Sequence, residues 1–72
     1  MIERQGVRYW TTQEVANSLA SRGLIAADGT QREQQRRARR WAYRAHLRPT
    51  ATTRMGGLLW GCEETRAAMD LT

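Results

Sequence analysis

Residues 36–48 read Arg36-Arg37-Ala38-Arg39-Arg40-Trp41-Ala42-Tyr43-Arg44-Ala45-His46-Leu47-Arg48. Ala38, Trp41, Ala42 and Ala45 stand at i, i+3, i+4 and i+7, which is one face of an α-helix. At about 100° per residue they fall within roughly a third of the circumference. Arg36, Arg40, Tyr43, Arg44 and Leu47 lie opposite. Arg37 and Arg48 take one flank, Arg39 and His46 the other. The spacing predicts a helix with a narrow dry side of small residues around one large aromatic. Trp41, on that stripe, is expected in the core. The wet side is a row of guanidiniums.

The charge of the chain is concentrated there. Residues 1–31 balance Arg4, Arg8 and Arg22 against Glu3, Glu14 and Asp28. Residues 32–48 set Arg32, Arg36, Arg37, Arg39, Arg40, Arg44 and Arg48 against Glu33 alone, a net of +6. Residues 49–72 return −1, from Arg54 and Arg66 against Glu63, Glu64 and Asp70, so the whole chain carries +5. Every basic residue but His46 is Arg. A planar guanidinium matches phosphates and guanine edges better than an ammonium does. Arg36, Arg40 and Arg44 repeat at i+4 and repel one another with nothing local to compensate. A polyanion is the expected partner.

Seventy-two residues fit one small domain with a modest core. Val7, Val15, Leu19, Leu24, Ile25, Leu58, Leu59 and Met69 are its expected aliphatic members. Cys62 is the only cysteine, so no internal disulfide can form and a reducing compartment fits. One Cys and one His cannot furnish a tetrahedral zinc site. No apolar run approaches the roughly 20 residues of a membrane span, and the N-terminus lacks a signal-peptide core. Glu63 and Glu64 are adjacent and diverge on a helix. No nucleophile–base pair or phosphate-cradling Gly loop is present, so neither an enzyme nor a cofactor is expected.

Along the chain, residues 1–6 read as a mobile start. Val7 to Trp10 is a short strand. Thr11-x-x-Glu14 is a capping box that opens a helix over about 12–22, with Val15, Ala16, Leu19 and Ala20 inward. Gly23 supplies a left-handed cap, with Leu24 folding back on the last turn. Asp28-Gly29 marks a turn. Thr30-x-x-Glu33 is a second capping box, opening a helix over about 31–47. Its first turns, Gln31 to Gln35, are wholly polar and are expected to project from the body. Pro49 ends it. Residues 50–54 and 58–60 form a hairpin with Met55-Gly56-Gly57 at its tip, and Gly61 breaks it. Cys62 to Leu71 closes the chain as a helix with Ala67, Ala68 and Leu71 on its apolar face. The fold class is α+β and mostly helical. Strand, helix, turn, basic helix, hairpin and helix is the order of a small winged helix-turn-helix, whose second helix enters the major groove while the wing meets the backbone or minor groove.

Within that order, Trp10-Thr11-Thr12-Gln13-Glu14-Val15-Ala16-Asn17-Ser18-Leu19 resembles the first helix of the MerR-like winged-helix superfamily. That superfamily includes the phage excisionases, or recombination directionality factors. Arg39-Arg40-Trp41 through Leu47-Arg48-Pro49 is similar to its Arg-Arg-Trp…Leu-Pro at the end of the recognition helix. The likeness spans about residues 9 to 70. Two departures stand out: the segment Ser21–Thr30 is longer than the family's turn, and His46 stands where the family often has Gly before the Leu. A regulator of the MerR type would carry a coiled coil and effector domain after residue 70, so an excisionase is the closer expectation. The resemblance implies cooperative binding to repeated double-stranded DNA sites, bending of that DNA, and steering of a phage integrase towards excision. It also implies a cytoplasmic, nucleoid-associated location in a bacterial host.

The expected DNA contacts are then Arg36, Arg37, Arg39, Arg40, Tyr43, Arg44 and Arg48 on the recognition helix. Thr11, Thr12 and Gln13 join them at the start of the first helix, whose free N–H groups suit a phosphate. Thr52, Thr53, Arg54, Met55 and Gly56 belong to the wing. Two other functions use the same residues. A small phage repressor would bind a palindrome as a symmetric dimer. An arginine-rich RNA-binding helix would need no body to dock on, which leaves its alanine stripe unexplained.

Overall fold

A computed structural model describes residues 1–71. Seven elements follow in order: β1 (Ile2–Arg4), β2 (Val7–Thr11), α1 (Thr12–Ser21), α2 (Gln31–Arg44), β3 (Ala51–Thr52), β4 (Leu58–Gly61) and α3 (Cys62–Asp70). The four strands make one antiparallel sheet in the order β1-β2-β4-β3. The architecture is a small α+β fold of three helices on a four-stranded antiparallel sheet.

The capping boxes form as expected. Thr11 Oγ1 accepts from the Glu14 N–H and the Glu14 carboxylate accepts from the Thr11 N–H; Thr30 and Glu33 repeat the exchange on α2. Gly23, at φ +73, ends α1 with the Leu24 N–H bonded back to the Leu19 carbonyl at 2.9 Å. The same 6→1 closure ends α2, from the Leu47 N–H to the Ala42 carbonyl at 2.9 Å. Here the left-handed residue is His46, at φ +60. This stops α2 at Arg44, short of the expected residue 47, and turns Leu47 inward onto the core.

Val15, Ala16 and Leu19 of α1, Ala38 and Ala42 of α2, Trp60 of β4 and Met69 of α3 form the buried core. Ala38 and Ala42 leave no side-chain bulk between the helices, so α1 and α2 approach closely. A Leu at residue 42 would cost about 1–3 kcal/mol by overpacking. Trp41 is only half-buried and packs on the rim; Trp60 is the tryptophan within the core. The Trp60 indole N–H donates to Thr12 Oγ1 at 3.0 Å in a buried bond.

Several expectations are corrected. Residues 2–4 are a strand, not a mobile start. Arg4 pairs with Val7, so Gln5-Gly6 is a two-residue hairpin loop, with φ +53 and +78. Both central residues of a type I′ turn take positive φ, a role usually signalled by Asn-Gly; Gln-Gly hides it. Val7 is exposed rather than core. The wing loop is Arg54-Met55-Gly56, because the Thr53 N–H bonds to the Gly57 carbonyl and the Gly56 N–H to the Thr53 carbonyl. Gly56, at φ +85, takes the left-handed third position of a three-residue hairpin loop. Gly61 is the last residue of β4 rather than its breaker. On α3 the inward residues are Cys62, Thr65 and Met69, not Ala67 and Leu71. A threonine in that stripe removes the hydropathy signal.

The sheet curls. Its two edge strands, β1 and β3, meet where the Arg4 guanidinium donates to the Thr52 carbonyl at 3.0 Å. Leu59 points to the opposite face from Trp60, yet it is fully buried, inside the curl with Ile2, Tyr9 and Ala51 on the same face.

Candidate nucleic-acid interface

Three elements converge on one polar groove of about 300 Å³. Thr11, Thr12 and Gln13 line it from the start of α1, Gln35 and Arg39 from α2, and Thr53, Gly56, Gly57 and Leu58 from the wing. These are the three parts expected to touch DNA, brought together from positions up to 47 residues apart along the chain. Among the described residues Arg39 is the one cation lining the groove. It also lines the neighbouring cleft with Tyr43, His46 and Arg48.

Arg39 is therefore the pivot of the surface. The sequence centred the face on the outer row Arg36, Arg40 and Arg44. On the helix axis, Gln35, Arg39, Arg32, Tyr43 and Arg36 share an arc of about 100° that begins at the wing groove, with Arg40 about 40° beyond it. Arg44 points away from that side. It lines a cleft with Trp41, Ala45, Ala68 and Leu71, between α2 and α3. Arg32 and Gln35 were not among the expected contacts; the 100° spacing from Arg39 is the signal that would have found them.

Several expected contacts have intramolecular work. The Arg37 guanidinium donates to the Ala26 carbonyl at 3.1 Å and to the Asp28 carbonyl, and pairs with Asp28 and Glu33 carboxylates at 3.5 and 3.9 Å. It clamps the long α1–α2 connection. Thr12 is buried and spends its hydroxyl on the Trp60 indole. Gln13 donates to Asn17 and Gln34 and accepts from Gln35, at 2.9, 3.0 and 3.1 Å. Gln34 continues to the Ala27 and Gly29 carbonyls. Through these amides the polar first turns of α2 are tied to α1 and the connection, rather than projecting.

Arg36, Arg39, Arg40, Arg44, Arg48 and Arg54 are exposed. Their guanidiniums hold no hydrogen bond or ion pair among the described residues. Tyr43 and Met55 are 81% and 95% exposed. An exposed aromatic beside free guanidiniums is a surface suited to phosphates and base edges. Thr52 is tied at its carbonyl by Arg4, and Thr53 Oγ1 accepts from the Gly57 N–H at 2.9 Å. Both hold the wing in shape.

The start of α1 carries one perturbed acid. Burial pushes the Glu14 carboxyl up, but hydrogen bonds from the Met1 ammonium and Thr11, with the ammonium's attraction, outweigh it and hold Glu14 below its usual 4.5. No group of three or more His, Cys, Asp or Glu among the described residues is placed to hold a metal. Among the same residues no helix is long and apolar enough to cross a membrane. Comparison with protein-family models, curated proteins and solved structures finds no match to this chain.

Proposed function

We propose that this chain is a winged helix-turn-helix DNA-binding and DNA-bending accessory factor of the excisionase kind. In this proposal α2 enters the major groove with Arg39, Arg36, Arg40 and Tyr43 towards the bases. The 54–56 wing loop follows the adjacent backbone or minor groove, and the α1 start approaches a phosphate. The observation that carries it is the convergence of α1 start, basic helix and wing on Arg39, with the Arg36, Arg39, Arg40, Arg48 and Arg54 guanidiniums unpaired among the described residues. A free arginine-rich RNA-binding helix is less well supported, because α2 is bound to a body through Ala38 and Ala42. Cooperative binding to repeated sites and steering of an integrase rest on the family resemblance.

Enrichment of random duplex DNA on the purified protein near physiological salt tests the proposal. Direct repeats about one helical turn apart support the excisionase. Palindromes favour the dimeric repressor. No enriched duplex, with structured RNA competing well, refutes DNA as the partner. On an enriched site about five phosphate contacts give a log K against log salt slope of about −4 to −5. Arg39→Ala weakens binding about tenfold or more, and Arg44→Ala by less than about threefold. Equal losses would refute Arg39 as the pivot.

A further inference from the structure

Beside the polar groove, across Arg39, lies a second recess of about 360 Å³ lined by Arg39, Tyr43, His46, Leu47, Arg48, Pro49 and Trp60. Its chemistry differs. Leu47, Pro49 and the buried Trp60 line its floor, and Tyr43 is an exposed aromatic wall. Two guanidiniums, Arg39 and Arg48, stand at it without partners among the described residues. No carboxylate among the described residues lines it. Small-molecule sites combine such a volume, a mainly apolar lining and a few placed polar groups. The recess is shaped by the 6→1 closure at the end of α2, since His46 at φ +60 turns Leu47 onto the core and hands the chain to Pro49.

We propose that this recess binds a small planar aromatic anion, and that its occupancy weakens DNA binding because both ligands claim Arg39. The ring lies on Trp60 and Leu47 against Tyr43. The anionic group meets Arg39 and Arg48, where charge-assisted hydrogen bonds supply selectivity over neutral rings. The regulatory half rests on the DNA-binding proposal; the binding half does not.

The test begins without DNA. The intact protein is titrated with 1-naphthoate and with neutral 1-naphthalenemethanol, followed by two-dimensional amide and indole NMR. Saturable shifts at the Trp60 indole N–H, Arg39, Tyr43 and Leu47, with the alcohol at least about tenfold weaker, are expected. Arg39→Ala and Arg48→Ala each weaken naphthoate about tenfold, while the spectra elsewhere stay superimposable. No saturable shift up to millimolar naphthoate overturns the site, whatever the protein does with DNA. Equal binding of acid and alcohol, or shifts centred on Ala68 and Leu71, overturns it as well. On an enriched duplex, naphthoate raises the apparent Kd in wild type, and Arg48→Ala needs about tenfold more naphthoate for the same rise. Naphthoate binding without competition overturns the regulatory half alone. A protein that binds naphthoate but no duplex overturns the DNA proposal and leaves the site standing.

Discussion

Replacing His46 with glycine relieves a specific strain. His46 sits at φ +60 and its N–H is bonded to the Tyr43 carbonyl, while Leu47 closes onto Ala42. A left-handed conformation costs a residue with a Cβ about 1–2 kcal/mol, and histidine, which visits that region more readily than most, belongs at the lower end. Glycine loses more backbone entropy on folding, which returns about 0.5 kcal/mol of the gain. The exposed imidazole has no side-chain hydrogen bond to lose. His46→Gly therefore stabilises by about 0.5–1 kcal/mol. For a domain of this size that raises Tm by about 2–8 °C. His46→Val works in the opposite direction, because a β-branched side chain tolerates positive φ least. Thermal melts by circular dichroism, with urea titrations at fixed pH, read both variants. A glycine variant no more stable than wild type, together with an unchanged valine variant, refutes the left-handed terminus.

Two further predictions concern the α1 start. Thr12→Val removes the acceptor of the buried Trp60 indole N–H and costs about 1–3 kcal/mol in a urea titration, whereas Thr12→Ser keeps the bond and most of the stability; a valine variant equal to wild type sinks that bond. Glu14 has a folded-state pKa below its usual 4.5, so it contributes stability above that value and loses it as pH falls through the lowered folded one. Glu14→Gln is thus less stable than wild type near neutrality, with the gap closing on acidification, and a gap unchanged down to pH about 3 contradicts the ammonium–carboxylate pair.

The elements with local grammar were legible in the chain. Both capping boxes and the Gly23 terminus are written in neighbouring residues, and each formed, whereas Asp28-Gly29 gives a bend at Gly29, φ +92, rather than a hydrogen-bonded turn. What escaped depends on distant partners. Ile2-Glu3-Arg4 has no apolar period, and it becomes a strand only because β2 is there to pair with it. Trp41 has the pattern of a core residue, but the space between α1 and α2 is closed by Ala38 and Ala42, and Trp60 arrives from another element to fill the centre. Charge located the basic helix, while its orientation needed the wing: only with residues 53–57 in place does Arg39 rather than Arg40 or Arg44 become the centre.

The bonds that lock the fold have a consequence in time. Trp60 to Thr12, Arg4 to Thr52 and Arg22 to Asp70 each join residues 48 positions apart. A ribosome delivers α1 and α2 well before β4 and α3. Until Leu58–Met69 emerge, the helix pair lacks Met69 and Trp60, the largest side chain of the core. Seven arginines on a half-made chain would then be a loose polycation in a cell full of RNA. The last segment completes the core of the first, so α2 gains the packing that holds its cationic face in place only once Leu58–Met69 are available.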